Sequence, residues 1–189
     1  MRTFLCVNLT GTIQRALERP RQVLVAAHGR KVRGVALENL HVTLCFLGEV
    51  NTDALAEIEA IGTEVAADMS SFEMRVAGVG AFPTPHRARV ILTRITEGQN
   101  ALIQLQNRLS EKLMAADLYT PDRHRFVPHI TFARVRSGRL DISPLSAQFE
   151  DQVFGCQRVE GFQLMKSELH PSGPQYEQLR HFPFFDTSS

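Results

Sequence analysis

The sequence predicts an α+β protein with a bilobal, pseudo-twofold duplicated fold, in which two antiparallel sheets line a central cleft and helices pack outside. Three observations carry this expectation. Strand-like and helix-like patterns follow one another as strand, helix, strands, helix, strands, without the regular alternation of a parallel sheet. One unusual strand pattern, an apolar run carrying His-x-Thr, occurs twice, at His41-Val42-Thr43 and His129-Ile130-Thr131, 88 residues apart and close to half the chain length. No low-complexity linker interrupts the 189 residues, so residues 1–189 are expected to form a single domain made of two fused lobes.

The elements follow from local pattern. Residues 3–9 read as an opening strand, and Thr10 or Thr12 can cap a helix running to about residue 28, with Pro20 expected to break or kink it. In the strand that stops at Gly48, Leu40, Val42, Leu44 and Phe46 alternate with His41, Thr43 and Cys45. Alternation puts His41 and Thr43 side by side on one face, braced by apolar residues on the other. Asn51 or Thr52 then caps a helix over 53–68 with the stripe Leu55, Ile58, Ile61 and Val65. Residues 72–80 alternate like a strand, Phe82-Pro83-Thr84-Pro85 is a turn, and 89–95 is a strand rich in β-branched residues. A second helix over 99–116 carries Leu102, Leu105, Leu109 and Leu113. A loop over 117–125 leads to the His129 strand, and 140–151 shows little pattern. One long strand is expected over 153–169, a turn over 170–174, and a closing strand over 176–185.

Composition excludes several classes. Apolar residues make up 43% and charged residues 22%, with a net charge of +1, ordinary values for a soluble globular protein. No run of 18 apolar residues suits a membrane span, and the short apolar N-terminus reads as a strand rather than a signal, so a cytoplasmic protein is expected. Cys6, Cys45 and Cys156 are odd in number and far apart, which favours buried free thiols over disulfides or a thiolate metal site. Charge is unevenly spread. Residues 49–73 hold seven acids and no Lys or Arg, while 121–139 hold five arginines against Asp122, so an anionic substrate would be drawn to the side of His129.

A single strand histidine is more often structural than catalytic. Chance would supply about 0.4 His-x-Thr triplets from this composition, and two occur, both in apolar runs. Two imidazoles brought to a shared cleft can divide acid–base work, since the neutral and protonated forms are both available near pH 7. His124 and His129 are poorly spaced for a metal, and carboxylates are scarce nearby, so neither metal nor cofactor is expected. His28, His86, His170 and His181 have no partner pattern, and Phe46, Phe82 and Phe132 read as core.

Several linked motifs resemble the two-histidine phosphoesterases, in the branch of RNA 2′,3′-cyclic phosphodiesterases once named 2′-5′ RNA ligases. They are Arg2-Thr3-Phe4-Leu5-Cys6-Val7, Glu38-Asn39-Leu40-His41-Val42-Thr43-Leu44 with Phe46-Leu47-Gly48, Gly80-Ala81-Phe82-Pro83, Pro128-His129-Ile130-Thr131-Phe132-Ala133-Arg134, and Ser167-Glu168-Leu169 through Pro171, Gly173-Pro174 and Tyr176. The resemblance implies metal-independent opening of 2′,3′-cyclic phosphate ends of RNA to 2′-phosphomonoesters. His41 would be the proton donor and His129 the proton acceptor, and Thr43, Thr131 and Arg134 would hold the phosphate. A reverse, ATP-independent 2′-5′ ligation is expected to be secondary to hydrolysis, and a monomer is the expected working unit. Strict alternation puts Arg134 opposite His129, so the assignment requires a strand end or a bulge. The chain departs from the family in having no Trp: Gly34 stands where a Trp often precedes the first motif, so, where that ring stacks on a base in relatives, base preference here is expected to be weaker or different. A non-catalytic RNA-end or nucleotide binding module, and a phosphodiesterase acting on 2′-5′ oligoadenylate or another small cyclic phosphate, are the alternatives.

Overall fold

Nine antiparallel strands form one continuous sheet in the computed structural model, which describes residues 1–171 and 173–185. In chain order the elements are β1 (Arg2–Asn8), α1 (Gly11–Ala16), α2 (Glu18–His28), β2 (Val32–Gly34), β3 (His41–Glu49), α3 (Thr52–Ala67), β4 (Phe72–Phe82), β5 (Val90–Glu97), α4 (Gln99–Ala115), β6 (His129–Val135), α5 (Ser143–Gln148), β7 (Val153–Val159), β8 (Gly161–His170) and β9 (Gly173–Pro183). The strand order is β7-β4-β5-β6-β3-β1-β8-β9, with β2 added on β6. Ser172, within the expected turn, and residues 186–189 lie outside the described residues.

The two expected sheets are two four-stranded wings of this sheet, β3-β1-β8-β9 and β6-β5-β4-β7. They are joined where β3 meets β6 through the antiparallel pair Val42–Ile130. The wings are not the two halves of the chain, because the closing hairpin β8–β9 completes the wing that begins with β1. Helices also cross over: α4, which precedes β6, packs on β3, and α1, which follows β1, packs on β7. One hydrophobic core therefore runs through both wings, from Leu5 and Val42 through Leu109 to Ile130, Phe132 and Phe162.

Local chemistry explains the elements and their differences from expectation. Asn51 is the cap of α3, its side chain accepting from Ala54 N at 2.8 Å. Of the expected stripe, Ile58 and Val65 are buried, while Leu55 and Ile61 are half-buried against the core. In α4 all four stripe leucines are fully buried. The helical break falls at Leu17, between α1 and α2, and not at Pro20. Pro20 has no N–H to offer Ala16 O, four residues back, so the first helix ends there and Pro20 sits in the first turn of the second. The single strand expected over 153–169 is two: β7 pairs with β4 in one wing and β8 with β1 in the other, the chain crossing at Glu160. Gly161 permits this crossing, since a Cβ there would lie 2.4 Å from Phe182 O. Two short elements, β2 and α5, were not expected. The mark of α5 is Ser143-Pro144 at its start, with Asp141 Oδ1 accepting from Ser143 N.

Candidate active site

β3 and β6 bury their residues in the same order. From His41 to Leu47, and from His129 to Val135, the side chains run half-buried, buried, half-buried, buried, buried, exposed, half-buried. Val42 and Ile130 face the core with no exposure, so the histidines and threonines stand on the opposite face. The Val42–Ile130 pair acts as a local twofold: His41 and Thr131 flank it on one side, Thr43 and His129 on the other.

Each strand carries a bulge three residues after its histidine. Leu5 pairs with Cys45 and Cys6 with Thr43, leaving Leu44 over; Ile91 pairs with Ala133 and Leu92 with Thr131, leaving Phe132 over. The extra residue reverses the parity that follows it. Arg134 is thereby returned to the face of His129, which meets the requirement that strict alternation imposed. The same device overturns the expected parity of the first strand. Cys45 is buried, and Phe46, read as core, is 45% exposed at the position corresponding to Arg134. Arg2 supplies a cation there, its guanidinium carbon 4.8 Å from the Phe46 ring centre.

Both rings are held in one tautomer. His41 Nδ1 lies 2.8 Å from Asn39 O and His129 Nδ1 lies 2.7 Å from Val127 O. A carbonyl only accepts, so each Nδ1 donates a proton and each Nε2 is left to face the site. His41 Nε2 lies 2.9 Å from Thr43 Oγ1, whose hydroxyl donates to the neutral ring. Among the described residues nothing bonds His129 Nε2. Aromatic rings complete the supports: Phe4 stacks on His41 at 4.9 Å, Tyr176 meets it edge-on at 5.5 Å, and Phe82 meets His129 edge-on at 4.9 Å. Phe132 is fully buried, as expected. The sequence marks neither the carbonyl tethers nor these ring contacts, because both arise from backbone path and strand order.

Burial lowers the pKa of His41 to about 4, against a smaller upward pull from Asn39 O, with the charges of His129 and Arg134 adding to the fall. His129 is lowered too, by burial first and then by Arg134. The two histidines and Arg134 are thus within electrostatic reach of one another, and both rings are neutral near pH 7 before any anion enters. Thr43 and Thr131 share the histidine face, half-buried. A cavity of about 270 Å³ opens beside His41 and Tyr176, and a larger one of about 510 Å³, around 46–51 and 117–120, contains neither histidine.

All three cysteines are free; Cys6 and Cys45 are buried, burial raising Cys45 to about 12, but Cys156 is exposed, contrary to expectation. Among the described residues no three His, Cys, Asp or Glu side chains cluster as a metal site, and no helix is long and apolar enough to cross a membrane.

A curled antiparallel sheet presenting two His-x-Thr strands about a local twofold defines the two-histidine phosphoesterase class. The chain belongs to the 2′-5′ RNA ligase superfamily, whose family model matches residues 11–171. It is 35% identical over 182 residues to an RNA 2′,3′-cyclic phosphodiesterase of Archaeoglobus fulgidus, covering 96% of this chain and 99% of the relative. It is 33% identical to one of Thermus thermophilus, covering 96% and 89%. The crystal structure of the Thermus thermophilus protein TT0787 superposes with a TM-score of 0.79 at 29% identity, covering 97% of this chain and 98% of that one.

Proposed function

We propose that the protein hydrolyses 2′,3′-cyclic phosphate ends of RNA to 2′-phosphomonoesters, with His129 as proton acceptor and His41 as proton donor. The observation that carries this reading is the pair of imidazoles on adjoining strands, each with Nδ1–H tied to a carbonyl and Nε2 turned inward. The names of the Archaeoglobus and Thermus relatives support the substrate class.

His129 Nε2, free of a protein partner among the described residues, takes a proton from water as the water oxygen attacks phosphorus. The bond from phosphorus to O3′ breaks, and His41 Nε2–H delivers its proton to O3′. The product carries a 2′-phosphate and a 3′-hydroxyl, and exchange with solvent resets both rings. His41 must be protonated to do this. The bound phosphate supplies the missing push: an anion within about 4–6 Å favours the charged imidazole and raises a pKa that burial had lowered. Once His41 Nε2 is protonated it no longer accepts from Thr43, whose hydroxyl turns to the phosphate; Thr43 and Thr131 then donate to the non-bridging oxygens, and the guanidinium of Arg134 stabilises the charge that builds on them. No metal or cofactor takes part. Replacing water by a 5′-hydroxyl gives 2′-5′ ligation by the same proton transfers. The proposed working unit is a monomer, and the proposed place of work is the cytoplasm.

The test is turnover of an oligonucleotide with a defined 2′,3′-cyclic end in EDTA. A 2′-phosphomonoester is the expected product. A 3′-phosphomonoester reverses the leaving group and the donor assignment, binding without product makes the protein a binding module, and faster cleavage of 2′-5′ oligoadenylate moves it to that substrate.

A further inference from the structure

We infer that the 270 Å³ cavity beside His41 is a base-reading subsite for the terminal nucleotide, selective for guanine through Asn8 and Glu38. This rests on the cyclic-phosphodiesterase reading above, in which His41 protonates O3′ of the terminal ribose. The terminal nucleoside must then lie on the His41 side of phosphorus, and this cavity contains His41 itself. Its size, just below the range usual for drug-sized ligands, suits one base rather than two nucleotides.

Its polar groups divide into those already engaged and those left over. Asn39 gives its carbonyl to His41 and its side-chain N–H to Pro174 O at 2.7 Å, so it is committed to holding the site. Asn8 is held differently. Its main chain is tied by Gln163 Oε1 and Gln157 Nε2, but its carboxamide meets only sulfur: Cys6 Sγ at 3.4 Å from Oδ1 and Met165 Sδ at 4.0 Å from Nδ2. Sulfur is a weak partner on both counts, so a half-buried amide keeps a donor and an acceptor for a ligand. Glu38 and Gln14 also line the cavity, and neither side chain has a partner among the described residues.

A carboxylate in this place decides the chemistry. It accepts only, and it repels phosphate, so the cavity is built for a base while Arg134 serves the anion. Guanine presents two adjacent donors, N1–H and N2–H, to a carboxylate, with O6 beside them for the Asn8 amide. Adenine and cytosine each offer Glu38 one amino group beside an accepting ring nitrogen, and uracil offers a single N3–H between two carbonyls, so none of the three gives the carboxylate paired donors.

The experiment compares kcat/KM for guanosine, adenosine, cytidine and uridine 2′,3′-cyclic monophosphates in the wild type, Asn8→Ala and Glu38→Gln. Asn8→Ala leaves the main-chain ties intact, and Glu38 is exposed, so both variants are expected to fold. Guanosine should lead uridine by about tenfold, the scale of one good bidentate pair, and each variant should remove most of that lead. A flat ranking in the wild type, a ranking led by another base, or a ranking that both variants preserve would overturn the subsite while leaving the hydrolase intact. Failure of the wild type to turn over any of the four would instead sink the underlying activity, and this inference with it.

Discussion

At His41 and His129 the carbonyl two residues upstream takes the Nδ1 proton, so one ring nitrogen is used for orientation and the other is kept for chemistry. This was half legible. A histidine and threonine two apart in an apolar run share a strand face by parity alone, whereas a main-chain tether leaves no side-chain signature. The depressed pKa values have two consequences. In the free enzyme both rings titrate below the ordinary imidazole value, so the bell of log kcat/KM against pH is expected to centre below about pH 6.5. The bound phosphate raises both, so the kcat bell should lie at higher pH. A kcat optimum at or below that of kcat/KM would contradict the role given to the anion. Stability carries the same signature. Between about pH 6.5 and 4 the unfolded His41 is protonated while the folded ring stays neutral, so acid favours unfolding and stability is lost as pH falls through that window. The loss is at most about 3 kcal/mol from this residue. Denaturant midpoints at pH 4.5 and 7.5 check it, and His41→Asn should flatten the difference.

The two bulges decide which residues join the histidines. Leu44-Cys45 and Phe132-Ala133 are both apolar pairs, so sequence alternation alone could not tell which member is the extra one; the pairing partners Cys6 and Leu92 settle it. Their effect is the difference between Arg134 facing the site and facing away. Replacing Arg134 with Ala is expected to lower kcat by about 10²- to 10³-fold, as for other fixed donors at developing charge, with Lys restoring only part because it lacks the planar fork. A kcat within twofold of wild type for a folded Arg134→Ala would remove it from the phosphate site. Long elements with a plain period, α3 and α4, were readable from their stripes. The three-residue β2 and six-residue α5 were too short to show a period, and the β7–β8 crossing was hidden because Glu160 alone separates the two strands.

The duplicated His-x-Thr pattern shows in the primary structure, but the exchange of elements between wings does not. The hairpin β8–β9 joins β1, and α4 covers β3, so neither half of the chain contains a complete wing. One core and one sheet joined at Val42–Ile130 are expected to unfold together. Fluorescence and far-ultraviolet circular dichroism should give coincident denaturation curves with one midpoint. Two separated transitions would mean that the wings fold independently. The whole account turns on two imidazoles sharing one phosphorus atom. The most direct measurement is single-turnover opening of a cyclic-ended oligonucleotide in EDTA by His41→Ala, His129→Ala and the double variant. Each single variant should lose about 10²- to 10⁴-fold, and the double variant little more than either, because each ring is idle without the other. A folded single variant that retains near-normal rate, or losses that multiply in the double variant, would contradict a shared proton-transfer step.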